Sequence, residues 1–80
     1  MNEKIRKKRN RQIGMAQFIL EGNSIRKTAE EYGISERTVK RDLTELYWTG
    51  YGKDGKEINR NRALAYKALK VIESRTTRKE

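Results

Sequence analysis

The chain contains neither cysteine nor histidine. Without thiols there are no disulfide bridges and no zinc finger of the usual kind. Without imidazoles there is no His-based acid–base or nucleophilic site. Long apolar runs are missing as well. No run of large apolar side chains exceeds three residues, as in Phe18-Ile19-Leu20, against the roughly 18 that a membrane span needs. No signal peptide is visible either, so the cytoplasm is the expected location and no membrane partner is expected. Hydrophobic residues make up 34% and charged residues 39% of the 80 positions. One domain, 1–80, is therefore expected, with a thin core and narrow apolar stripes. Enzyme chemistry finds no footing. There is no metal-ligand spacing and no Gly-rich loop followed by Lys, and Asp54-Gly55-Lys56-Glu57 lacks the ligand count of a calcium loop. Glu30 and Glu31, adjacent on a helix, point about 100° apart, which is poor geometry for paired acid–base work. Neither cofactor nor metal is expected.

What the chain has in excess is positive charge, +9 in all. Residues 1–12 carry +5 and residues 59–80 another +5, whereas 13–24 carry −1 and both 25–46 and 47–58 are neutral. Two basic ends thus flank a neutral middle, an arrangement suited to clamping phosphates on either side of a unit that reads a groove. A membrane-surface peptide would need large apolar groups opposite the lysines. Residues 1–12 offer only Ile5 beyond Met1.

The middle has a definite pattern. The segment IRKTAEEYGISERTVKRDLTEL, residues 25–46, fits two helices around a sharp turn. Ala29 is small where the helices cross, Gly33 can take φ > 0 to end the first helix, and Ile34 tucks under the turn. Ser35 suits the N-cap of the second helix, and Glu36 lies favourably in its first turn against the helix dipole. Val39, Leu43 and Leu46 recur at i, i+4, i+7 and form an inward face. The opposite face carries Arg37, Lys40, Arg41 and Thr44, a basic, hydrogen-bonding surface sized for a DNA major groove. An ordinary bundle corner shares the glycine and the apolar spacing, but not the basic outer face.

Outside this unit the expected fold is all-α, a small helix-turn-helix bundle of about four helices. The first helix runs from near Glu3 to Glu21, with Gly22 as its stop and Ile13, Ala16, Ile19 and Leu20 as its apolar stripe. Before Ile13 its pattern is so polar that this part is expected to fray without DNA. Gly14 costs about 1 kcal/mol relative to Ala inside a helix, as a tolerated loss or as the mark of a close approach. Ser24 caps the second helix. Asp42 either accepts a backbone or solvent bond, the blander reading, or orients an arginine of the first helix. Tyr47, Trp48 and Tyr51 fall within five residues, more suited to capping the core than to stacking on unpaired bases. Asp54-Gly55 is a hairpin signal that would pair Tyr51 with Ile58. A short β-hairpin wing at 51–58 and an irregular loop both remain open. The last helix is expected over about 60–75, capped by Asn59 or Asn61, with Leu64, Ala65, Ala68, Leu69, Val71 and Ile72 closing the core over the first helix.

The run Thr38-Val39-Lys40-Arg41-Asp42-Leu43-Thr44-Glu45, following Glu31-Tyr32-Gly33-Ile34-Ser35, resembles the sporulation stage III regulator D family, small bacterial and phage-borne transcription factors. The resemblance covers residues 12–46 and, more loosely, 58–73. It implies sequence-specific double-stranded DNA binding, with a recognition helix at 35–46 and a C-terminal DNA-contacting segment at Arg75, Arg78 and Lys79. Where that family leaves the recognition helix through a short Pro-containing link, this chain places residues 47–57 with glycine and no proline. The same core is similar to the N-terminal helix-turn-helix of DeoR-type repressors, which carry a large effector domain this chain lacks.

A transcriptional regulator is the expected function. Ser35, Glu36, Arg37, Thr38, Lys40, Arg41 and Thr44 would meet the groove, with Lys4, Lys7, Lys8, Arg9, Arg75, Arg78 and Lys79 on phosphates. Double-stranded DNA is the expected partner, with RNA polymerase as a second, and the protein is expected to be a monomer or weak homodimer. Two other functions compete: a DNA-docking subunit of a phage packaging or recombination machine, and a non-specific nucleic-acid-binding protein.

Overall fold

Capping side chains and chain reversals at glycine divide the chain into four helices. A computed structural model describes residues 3–77, with side chains as far as Arg75. The helices are α1 (Glu3–Leu20), α2 (Ile25–Tyr32), α3 (Glu36–Thr49) and α4 (Gly55–Thr77). Ser24 and Ser35 cap α2 and α3, accepting from the backbone N–H of Lys27 and Thr38. Each satisfies one of the donors that a helix start leaves without a partner.

The core forms where one face of each helix converges. Met15, Ala16 and Ile19 of α1, Ala29 of α2, Val39 and Leu43 of α3, and Ala68 and Ile72 of α4 are its buried members. Helix α4 packs against both α1 and α3, so its apolar stripe closes the core as expected. The stripe of α1 is rotated from the expected one. Gln12 and Met15 are fully buried, whereas Leu20 is exposed and Ile13 only half-buried. The buried glutamine masks the true face, because its amide is held by Glu45 of α3, distant in sequence, and by Arg9 one turn back on α1. Residues 3–12 continue α1 as regular helix.

The chain between α3 and α4 contains no strand among the described residues, so the wing is not formed. Asp54-Gly55, a hairpin signal in isolation, is instead a helix start. The Asp54 carboxylate accepts from the Glu57 N–H at 2.9 Å, and the Glu57 carboxylate accepts from the Lys53 N–H at 2.9 Å. This reciprocal pair resembles a capping box reaching one residue further back. It starts α4 five residues before the expected position. Asn59 is therefore an exposed helical residue, and Asn61 is buried with its amide donating to the Tyr51 carbonyl. Arg62 donates to the Tyr47 carbonyl at 2.8 Å. Side chains of α4 thereby satisfy carbonyls at the end of α3 and in the link, and fix the corner between the helices.

Two glycines admit this close approach. Gly50 has φ 69°, a conformation costly for a side-chain-bearing residue. Gly52 lies so near α4 that a Cβ there would stand 2.8 Å from the Glu57 Cβ and 2.9 Å from the Ile58 backbone nitrogen. Gly14 is likewise a site of close approach, because a Cβ there would lie 2.8 Å from the Tyr32 hydroxyl of α2. Gly14→Ala can be relieved by a shift of that ring tip, but Gly52→Ala meets backbone. Gly52→Ala is expected to cost ~1–3 kcal/mol by overpacking and Gly14→Ala less, as measured by urea unfolding. Equal and negligible losses would show that the link is not docked on α4.

Candidate nucleic-acid interface

The turn between α2 and α3 is built from three residues, Gly33-Ile34-Ser35. Gly33 adopts the left-handed conformation at φ 67° and ψ 35°. The Ile34 N–H returns to the Ala29 carbonyl at 3.0 Å and the Gly33 N–H to the Glu30 carbonyl at 3.3 Å, a Schellman closure of α2. Ile34 packs against the core and Ala29 is buried within it. The small residue, the glycine and the serine each occupy the place expected of a helix-turn-helix.

Helix α3 is sharply two-sided. Val39, Leu43 and Leu46 are wholly buried, while Ser35, Glu36, Arg37, Lys40, Arg41 and Thr44 are exposed. Thr38 lies between the two faces and shares a 2.9 Å hydrogen bond with the Ser35 hydroxyl. The Thr44 hydroxyl donates to the Lys40 carbonyl of its own helix at 2.9 Å, so its hydrogen is engaged and its oxygen remains an acceptor.

A polar network ties the basic half of α1 to α3. Arg11 donates to Asp42 at 2.8 Å, and the Asp42 side chain is only 5% exposed. The blander reading of Asp42 thus gives way: it orients an arginine of the first helix. Glu45 receives the Gln12 amide at 3.0 Å, and Lys8 and Arg9 approach it at 3.2 Å and 3.6 Å. Arg9 also donates to the Gln12 amide oxygen at 3.0 Å. Sequence reading missed Gln12 and Glu45. A polar residue in the core position of an otherwise charged stretch was the available signal, and only the facing helix shows what it meets.

This network places the expected phosphate contacts unequally. Lys8, Arg11, Lys40 and Arg41 line one shallow groove between α1 and α3 together with the carboxylates of Asp42 and Glu45, so cations of α1 adjoin the exposed basic face of α3. Lys4 and Lys7 are exposed further along α1, Lys7 at 4.0 Å from Glu3. Arg9 is turned inward, its side chain only 14% exposed. At the opposite end, the Arg75 guanidinium donates to the Asn23 carbonyl at 2.8 Å. It borders a depression shared with Ser24, Arg26 and Glu36, near the starts of α2 and α3. Arg78 and Lys79 lie outside the described residues.

The aromatic cluster divides. Tyr47 leans on α4, 5.8 Å from the Tyr66 ring with the Arg62 guanidinium 5.4 Å from its centroid. Trp48 caps nothing: it is 71% exposed. Its position at the solvent side of α3 overturns the expectation of a core cap at this residue.

Comparison with protein families finds one whose model, described as Stage III sporulation protein D, matches residues 4–79. The match extends well beyond the helix-turn-helix and spans the glycine-containing link and α4. No curated protein and no solved structure matches. Among the described residues, no helix is long and apolar enough to cross a membrane.

The Glu45 carboxyl shows what the network does electrostatically. Burial alone would raise its pKa, but hydrogen bonds from Lys8 and Gln12 and the charges of Lys8 and Arg9 outweigh burial and hold it below the ordinary 4.5. A carboxyl depressed on folding stabilises the native state fully above its unfolded pKa, and that stabilisation is lost as pH falls through the folded value. The difference in melting temperature between the native chain and Glu45→Gln should therefore be constant near neutrality and shrink below about pH 4.5. Parallel melting curves across that range would show that the network adds nothing to folding. Arg11→Met, which leaves the nearly buried Asp42 carboxylate without its ion-pair partner, should cost ~1–3 kcal/mol at neutral pH.

Proposed function

We propose that this chain, which belongs to the Stage III sporulation protein D family, binds double-stranded DNA sequence-specifically and regulates transcription by laying α3 in the major groove. The family is one of DNA-binding transcription regulators rather than enzymes. The observation that carries the finer reading is the exposed stripe of Arg37, Lys40, Arg41 and Thr44 on a helix whose other face is anchored in the core. A side chain reading a base edge must be held to within a fraction of an ångström. The buried Val39, Leu43 and Leu46 and the Asp42–Arg11 pair supply that support.

The roles divide by chemistry. Arg37 and Arg41 present planar forks that match the paired acceptors of guanine. Lys40, Thr44, Ser35, Glu36 and Thr38 complete the groove-facing set. Lys4, Lys7 and Lys8 along α1 and Arg75 at the far end meet phosphates and set the register without reading sequence, while Arg11 stays on Asp42. Arg9, turned toward Gln12 and Glu45, takes a bracing role, and Lys8 divides its charge between Glu45 and the groove. Arg78 and Lys79 extend the Arg75 end in this reading. Action at promoters makes RNA polymerase the second partner and the cytoplasm the location, and the protein binds as a monomer or a weak dimer.

Selection from a random duplex library tests this directly. One enriched motif is expected, and its symmetry reports whether one or two copies bind; binding without enrichment would leave a non-specific coating protein. Arg37→Ala or Arg41→Ala should weaken the selected site by ~1–3 kcal/mol more than random DNA. Equal losses on both would make the residue a phosphate contact only. With about six phosphates neutralised, log affinity should fall with log salt at a slope of about −5. A slope shallower than about −2 would remove the two-ended clamp.

A further inference from the structure

The geometry points to Trp48 as a DNA contact that extends the recognition stripe to the backbone at the edge of the groove. This rests on the proposed docking of α3. At about 100° per residue, Arg37, Arg41, Thr44 and Trp48 fall at i, i+4, i+7 and i+11, within about 60° of arc on one side of the helix. All four are exposed. Trp48, at 71%, is more exposed than the other exposed large apolar side chains, Ile5, Leu20 and Tyr66. An indole left in water on the face of a helix is apolar area waiting for cover, and here that face is the one turned to the groove.

Its distance along the axis identifies what it meets. Eleven residues advance about 16 Å along the helix, more than the about 12 Å width of the major groove. With the first turns of α3 against base edges, the last turn reaches the sugar–phosphate wall. An indole suits that wall, because its ring can lie on deoxyribose while its N–H donates to a phosphate oxygen. The ring is also held from behind. Tyr47 meets it edge-on, centroids 5.4 Å apart and planes at 76°, and Tyr47 is fixed in turn by Tyr66 and Arg62 of α4. Tyr47 of α3 and Tyr66 of α4 thus brace an anchor at the C-terminal end of the recognition helix. The ligand class is duplex backbone of any sequence.

Trp48 is the only tryptophan, so tryptophan emission reports on the surroundings of this ring alone. The native chain is titrated with an end-labelled duplex, following label anisotropy for binding and tryptophan emission with acrylamide quenching for the ring. The expected result is a change in emission and protection from acrylamide that both saturate with the anisotropy. Trp48→Ala, checked for unchanged circular dichroism, should weaken selected and random duplexes alike by about tenfold, about 1.4 kcal/mol. Emission and quenching that stay constant while anisotropy rises would overturn the inference and leave the docking of α3 standing. A duplex that raises no anisotropy at any protein concentration would overturn both. Protection that appears without DNA as protein concentration rises would assign the ring to self-association and overturn the inference as well.

Discussion

The pairing of Arg11 with Asp42 at 2.8 Å, extended by Glu45, is the contact on which the geometry of the surface depends. A chain with so few large apolar residues cannot position its N-terminal helix by hydrophobic burial along the whole length. Met15, Ala16 and Ile19 fix the C-terminal half of α1 in the core. The N-terminal half has no such side chains and is held by a carboxylate latch on α3. A nearly desolvated carboxylate with one guanidinium tolerates little displacement, since any other placement leaves charge buried without a partner. The latch therefore fixes the angle between α1 and α3, and with it the spacing between the cations of one helix and the exposed basic face of the other.

The acidic residues of the helix-turn-helix acquire a role from this. Its neutral net charge by sequence hides a division between faces. Asp42 and Glu45 turn toward α1 and offset its inner cations, while Arg37, Lys40 and Arg41 remain outward. The neutrality of the segment as a whole says nothing about the field it presents. The cations of α3 are open to solvent, whereas Asp42 is buried and Glu45 half-buried against α1. Cations on α1 that would otherwise repel one another are held together by the same carboxylates.

The helix-turn-helix was legible residue by residue because its signals are local. Ser24, Gly33 and Ser35 act within four residues of their own position, and the buried face of α3 repeats with helical period. What could not be read were the features decided by partners distant in sequence. Gln12 is polar and yet fully buried, because Glu45 of the facing helix receives its amide. Asp54-Gly55 carries both a hairpin and a helix-start signal. Glu57, three residues on, completes the local helix start, and Asn61 reaching back to Tyr51 holds that choice against α4. Tyr47 and Trp48 are neighbours in sequence, and only the position of α4 decides that one is covered and the other left in solvent.

The docked link also constrains how sequences of this kind can drift. Asn61 is buried because the Tyr51 carbonyl is there to receive its amide, and Arg62 lies along α4 to reach the Tyr47 carbonyl. A descendant that shortened residues 50–53 would strand the asparagine with no acceptor and gain from an aliphatic residue in its place. One that kept the asparagine would have to keep the loop length and the glycine at 52. Link length, Gly52 and Asn61 thus form one heritable unit, exchanged together or retained together, whereas the exposed Arg37, Lys40 and Arg41 can change singly without disturbing the frame.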